Sequence, residues 1–112
     1  MDPDKVVPIT RETEFQDWLT RLGETEREVW VGIYNKSSKQ QTVTFMQLLE
    51  IAICHGWIDV KTKSIDELRY AIRFVPRRPL SNWSDRNRDL AKRLLAEGRM
   101  TEQGRALLPT DL

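Results

Sequence analysis

The chain has 112 residues, with 18 Lys and Arg against 17 Asp and Glu, a net charge of +1 and 39% hydrophobic residues. That length suits one domain with a core able to stand without staples, and the balance of apolar and charged residues excludes an intrinsically disordered chain. One cysteine, Cys54, excludes an internal disulfide; no apolar run approaches the about 18 residues of a membrane span, and Met1-Asp2-Pro3-Asp4-Lys5 lacks a signal-peptide core, so the expectation is a cytoplasmic protein without membrane insertion.

Residues 1–9 are polar with Pro3 and Pro8 and read as an extended lead-in. Thr10 or Thr13 then caps a first helix to about Leu22, because Phe15, Trp18, Leu19 and Leu22 recur at i, i+3, i+4 and i+7; Gly23 ends it. Glu28 to Tyr34 is a strand by its β-branched and aromatic content, apolar on both faces. A polar loop from Asn35 to Gln41 leads to a second helix capped by Thr42 or Thr44. With only Gln47 and Glu50 interrupting its apolar residues as far as Cys54, that helix is the expected centre of the core. Gly56 stops it, with His55 in its last turn.

Residues 57–63 and 68–74 both alternate and form an antiparallel hairpin turning at Ile65-Asp66-Glu67. The expected register sets Ile58 against Phe74, Val60 against Ile72, Thr62 against Tyr70 and Asp59 against Arg73, with Ile58, Tyr70, Ile72 and Phe74 in the core. Pro76 and Pro79 stiffen the loop that follows. Ser81 or Ser84 caps a third helix to about Glu97, with Leu90, Ala91, Leu94 and Leu95 inward and Gly98 as its stop; Thr101 caps a short last helix to about Leu108. The expected fold is α+β, a single domain over residues 1–112 with a small, mainly antiparallel sheet packed against three to four helices.

Charge is unevenly placed. Residues 1–55 carry nine acids and six bases, and residues 56–112 carry eight acids and twelve bases. Arg69, Arg73, Arg77, Arg78, Arg86, Arg88, Lys92 and Arg93 face only Asp85 and Asp89 within 69–93, which reads either as a basic patch or as a solvated face with local ion pairs. Cys54-His55 is not a nucleophile pair, since neighbours on a helix point about 100° apart and a helix C-terminus raises a thiol pKa. A lone His and a lone Cys do not make a transition-metal site. No phosphate-binding glycine loop or Ser-His-Asp set is present, so neither a catalytic residue nor a cofactor is expected.

What remains is Trp57, Asp59, Arg73, Arg77, Arg78, Asn82 and Trp83, a candidate ligand-binding set. Guanidinium forks hold phosphates and carboxylates bidentately, and tryptophans stack on rings or on arginines. The opposing reading makes the tryptophans core-edge fillers and Asp59 with Arg73 a cross-strand ion pair. As a site, the set takes an anionic small molecule or nucleic acid, and Arg77 and Arg78 are expected to be replaceable without loss of stability. The rival functions are a small enzyme using Asp59 as base beside Arg73, and a protein interaction domain with a protein partner.

The chain also resembles the YdeI/OmpD-associated, or bacteriocin-protection, family. The resemblance rests on Val29-Trp30-Val31, Tyr34-Asn35-Lys36-Ser37, Val43-Thr44-Phe45, Cys54-His55-Gly56-Trp57-Ile58-Asp59, Arg73-Phe74-Val75-Pro76-Arg77-Arg78, Ser81-Asn82-Trp83-Ser84 and Gly98-Arg99-Met100-Thr101. It runs from about Phe15 to Ala106. The family usually has an aromatic residue where His55 stands and a small one where Val60 stands, and many members continue into a C-terminal helical segment that this short form lacks. The resemblance implies a soluble bacterial α+β domain, points to the same residues and supplies no reaction; the leading expectation for function is a non-enzymatic binding or stress-protection module whose Arg and Trp surface recognises an anionic ligand.

Overall fold

The computed structural model describes residues 1–112. In chain order the elements are β1 (Val7–Pro8), α1 (Glu12–Leu22), β2 (Val29–Tyr34), α2 (Phe45–Cys54), β3 (Trp57–Ser64), β4 (Arg69–Pro76), α3 (Asp85–Ala96) and α4 (Glu102–Ala106), with 3-10 turns at Pro3–Lys5 and Lys36–Ser38. The four strands form one sheet in the order β1-β2-β4-β3, parallel between β1 and β2 and antiparallel elsewhere. The fold is α+β.

Short polar side chains start the helices where orphan amides need acceptors. Thr44 caps α2 in a reciprocal box with Gln47, each side chain accepting the other's backbone N–H at 3.2 and 2.9 Å. Ser84 Oγ accepts from Asn87 N–H to open α3. The first helix departs from expectation: neither Thr10 nor Thr13 caps it. Instead Glu14 reaches back, its Oε1 accepting from the backbone N–H of Thr10 and Arg11 and from the Thr10 hydroxyl at 2.9–3.1 Å.

The core lies on one face of the sheet. Val29, Val31, Ile33, Ile72, Phe74 and Trp57 pack there against Phe15 and Leu19 of α1 and Leu48, Ile51 and Ala52 of α2. Phe15 and Phe74 meet at 5.0 Å between ring centroids, and Trp18 stands edge-on to Trp57 at 5.7 Å and 90°. The opposite flank of α2 buries Leu49, Ile53 and Cys54 against Ala91, Leu94 and Met100, so a helix apolar all round is central because it serves two clusters. Leu95, expected inward, is exposed; α3 turns only Ala91 and Leu94 fully to the core.

The hairpin register also differs from expectation. Trp57, Ile58 and Asp59 lie opposite Pro76, Val75 and Phe74; after a bulge at Val60, Lys61 and Thr62 lie opposite Arg73 and Ile72 and Ser64 lies opposite Tyr70. One extra residue breaks a strict period of two and shifts the pairing. The larger indole of Trp57, rather than Ile58, thereby takes the inward place, while Ile58 and Tyr70 are only half-buried. Arg73 shares the outer face with Trp30 and Lys61, whereas Asp59 shares Phe74's face, so the expected Asp59–Arg73 pair does not form.

Candidate anion-binding cleft

Gly56 ends α2 at φ +79°, a conformation that favours glycine, and its carbonyl accepts the Arg77 N–H at 2.8 Å. This bond pins the start of the proline-rich loop to the base of the helix. Past Pro79, Leu80 takes φ +60° and lies 93% exposed.

Arg77 is the organiser of that loop. Only 7% exposed, its guanidinium carbon lies 3.5 Å over the Trp83 ring, and Nη1 donates to Ser81 Oγ at 3.2 Å and to the Asn82 carbonyl at 3.4 Å. Its Nε is buried without a partner. Burial pushes the Arg77 pKa down to about 10, opposed by the charge of Asp59. The guanidinium is therefore spent on the protein itself.

Around this brace the other arginines converge. A cleft of about 580 Å³ is lined by Arg27, Arg73, Arg77, Arg78, Val75, Pro76 and Pro79, with no carboxylate among its walls. Arg73 reaches Glu28 at 3.2 Å, an exposed pair worth little in water. Neither Arg27 nor Arg78 belongs to any ion pair. Arg27 and Arg78, cations without an ion-pair partner beside the Glu28-paired Arg73, are a ready receptor for an anion.

The seven residues singled out from the sequence thus separate into three groups. Arg73, Arg77 and Arg78 line the cleft. Trp83 and Asn82 do not line it and instead support Arg77, Trp83 through its ring and Asn82 through its main-chain carbonyl. Trp57 is 3% exposed and belongs to the core, which removes it as an open stacking platform, and Asp59 acts on Arg77 rather than on Arg73. Arg27, which the sequence pattern did not single out, sits in the connection between α1 and β2, where neighbouring Glu24, Glu26 and Glu28 mask it.

Cys54 is buried, and burial pushes its thiol pKa up, the opposite of what a nucleophile needs. Its carbonyl anchors α4, accepting from the Thr101 hydroxyl at 2.6 Å and the Thr101 N–H at 3.0 Å. No helix is long and apolar enough to cross a membrane. No curated protein and no solved structure matches the chain. A family model does match, over residues 7–107, and the chain belongs to that family, described as Domain of unknown function (DUF8412).

Proposed function

We propose that the protein is a non-enzymatic binding module whose arginine cleft takes a compact anionic group, a phosphate or carboxylate, of a small molecule. The observation that carries this reading is the gathering of Arg27, Arg73, Arg77 and Arg78 around one cleft without a carboxylate in its lining. Arg77 holds the loop in shape; Arg27 and Arg78, exposed and unpaired, supply the contacts. The resemblance to YdeI/OmpD-associated proteins supports the same segment, since Arg73 to Arg78 carries part of it, and a stress-protection role for the module is in keeping with that resemblance. Enzymatic use of Asp59 as a base beside Arg73 loses its support, because the two lie on opposite faces of the sheet.

The test is calorimetric titration of inorganic phosphate at low ionic strength. Arg27→Ala and Arg78→Ala are each expected to weaken binding about ten-fold, the scale of one lost charge-assisted contact, with melting temperatures within about 2 °C of wild type because both side chains are exposed. Wild type that takes up no phosphate, or variants that bind as wild type does, would overturn the proposal. A protein-interaction reading is favoured by one observation, the 93% exposed Leu80 next to Arg78 in sequence but for Pro79.

A further inference from the structure

We infer that the arginine cleft is one half of a longer site, and that the neighbouring cleft beside His55 takes the hydroxyl-bearing body of the same ligand, a sugar or polyol phosphate. The inference rests on the anion reading above and adds the ligand's class to it.

The two clefts share walls. A second cleft of about 340 Å³, near the lower end of the range for small-molecule sites, is lined by Glu24, Arg27, His55, Trp57, Pro76 and Gln103 among others; Arg27 and Pro76 also line the arginine cleft. The shared residues set the two clefts side by side, so a molecule whose phosphate engages Arg27 can extend its remaining atoms into the His55 cleft.

That cleft is polar in a way that suits hydroxyls. Gln103 Nε2 donates to Glu24 Oε1 at 3.1 Å, which leaves Glu24 Oε2 and the Gln103 side-chain oxygen as acceptors at the rim. His55 is half-buried, and its pKa is lowered by burial alone, with no hydrogen bond or charge acting on it. A neutral imidazole without a protein partner offers one donor and one acceptor. The charged groups facing the cleft are Glu24 and Arg27. Thr101 lines it too, but its hydroxyl is committed to the Cys54 carbonyl and the Gly104 N–H. Leu107 and Pro76, both half-buried, supply an apolar wall, which matches the carbon face of a sugar ring, while the polar atoms match its edge. A purely apolar body would leave the His55 ring desolvated without a partner, so the site selects against it.

His55 is the chain's one histidine, so its ring protons give an unambiguous NMR signal. The experiment titrates wild type, His55→Ala, Gln103→Ala and Arg78→Ala with inorganic phosphate and with ribose 5-phosphate, by calorimetry, and follows the His55 resonances of wild type over the same additions. Ribose 5-phosphate is expected to bind at least about ten-fold more tightly than phosphate and to shift the His55 resonances and their titration midpoint. His55→Ala and Gln103→Ala should each remove most of that advantage while leaving phosphate affinity as it was, and Arg78→Ala should weaken both ligands. Equal affinity for the two anions, or His55 signals that titrate identically with and without ribose 5-phosphate, would overturn the inference while the anion reading stands. Absence of phosphate binding altogether would overturn both. Gln103 is exposed, so its variant keeps the test decisive even where His55→Ala disturbs folding.

Discussion

Replacing Arg77 by alanine removes a brace rather than a ligand contact, and the structure sets the size of the loss. The stack on Trp83 at 3.5 Å is worth about 1–2 kcal/mol in a largely desolvated place. Two hydrogen bonds at 3.2 and 3.4 Å are long and contribute about 0.5–1 kcal/mol each. Against these stands the cost of burying a cation with an unpartnered Nε, visible as a pKa pushed down to about 10. Loss of the packed side-chain stem is added, and the net expectation for Arg77→Ala is about 2–3 kcal/mol of destabilisation, or roughly 10 °C in Tm for a domain of this size. Arg77→Met keeps the stem and discards the buried charge, and should cost less than about 1 kcal/mol. Urea unfolding followed by tryptophan fluorescence measures both. An Arg77→Ala protein that unfolds at the wild-type midpoint would refute the brace, along with the account of how the loop is held.

Three further predictions test separate parts of the structure. Leu80→Gly should stabilise the domain by about 0.5–1 kcal/mol in a thermal melt, because a non-glycine residue at φ +60° is strained and its exposed side chain buries nothing; an unchanged or lower Tm would contradict that strain. Gly104→Ala should cost more than about 2 kcal/mol in urea unfolding, since a Cβ there would fall on the Cys54 carbonyl that anchors α4, and a neutral outcome would mean that α4 shifts freely. Stability should also fall with acid through His55: its folded pKa lies below the ordinary 6.5, so the folded state binds fewer protons, and its contribution is whole above about pH 6.5 and is lost as pH drops toward the folded value. Urea midpoints at about pH 7.5 and about pH 5 should therefore fall further for wild type than for His55→Gln, and equal losses would show that His55 titrates normally.

How far the sequence carried the reading depended on whether the signal was local. Thr101 and the stops at Gly56 and Gly98, with φ +79° and +71°, act within one helical turn and are legible from neighbouring residues, while Thr44 and Ser84 each have a second candidate, Thr42 and Ser81, that local sequence does not separate. The hairpin itself was equally legible from two alternating runs. Its register was not, because the extra residue at Val60 leaves no trace in the hydrophobic pattern, and with the register went the Asp59–Arg73 pair. Arg77 and Trp83 fall within one candidate set, but which tryptophan stacks on which arginine depends on the path of the loop, and no composition rule distinguishes Arg77 from Arg78. Arg27 lies 46 positions before Arg73 and reaches the cleft only through the fold. The two-residue strand Val7–Pro8 was hidden for a different reason: a proline in so short a segment gives no periodicity, and it forms only because β2 offers an edge.

The bulge at Val60 also bears on how the molecule behaves among its own copies. β3 is the outer strand of the sheet, and a straight outer strand would present a row of free amides and carbonyls on which another chain could grow. The displaced residue twists that border, and Lys61 and Lys63 follow it with charges that repel a second copy. The opposite border is Val7–Pro8, too short and lacking one amide. Neither rim offers a continuous template, so the domain should stay free of strand-to-strand aggregation at the high concentrations that weak-ligand titrations demand.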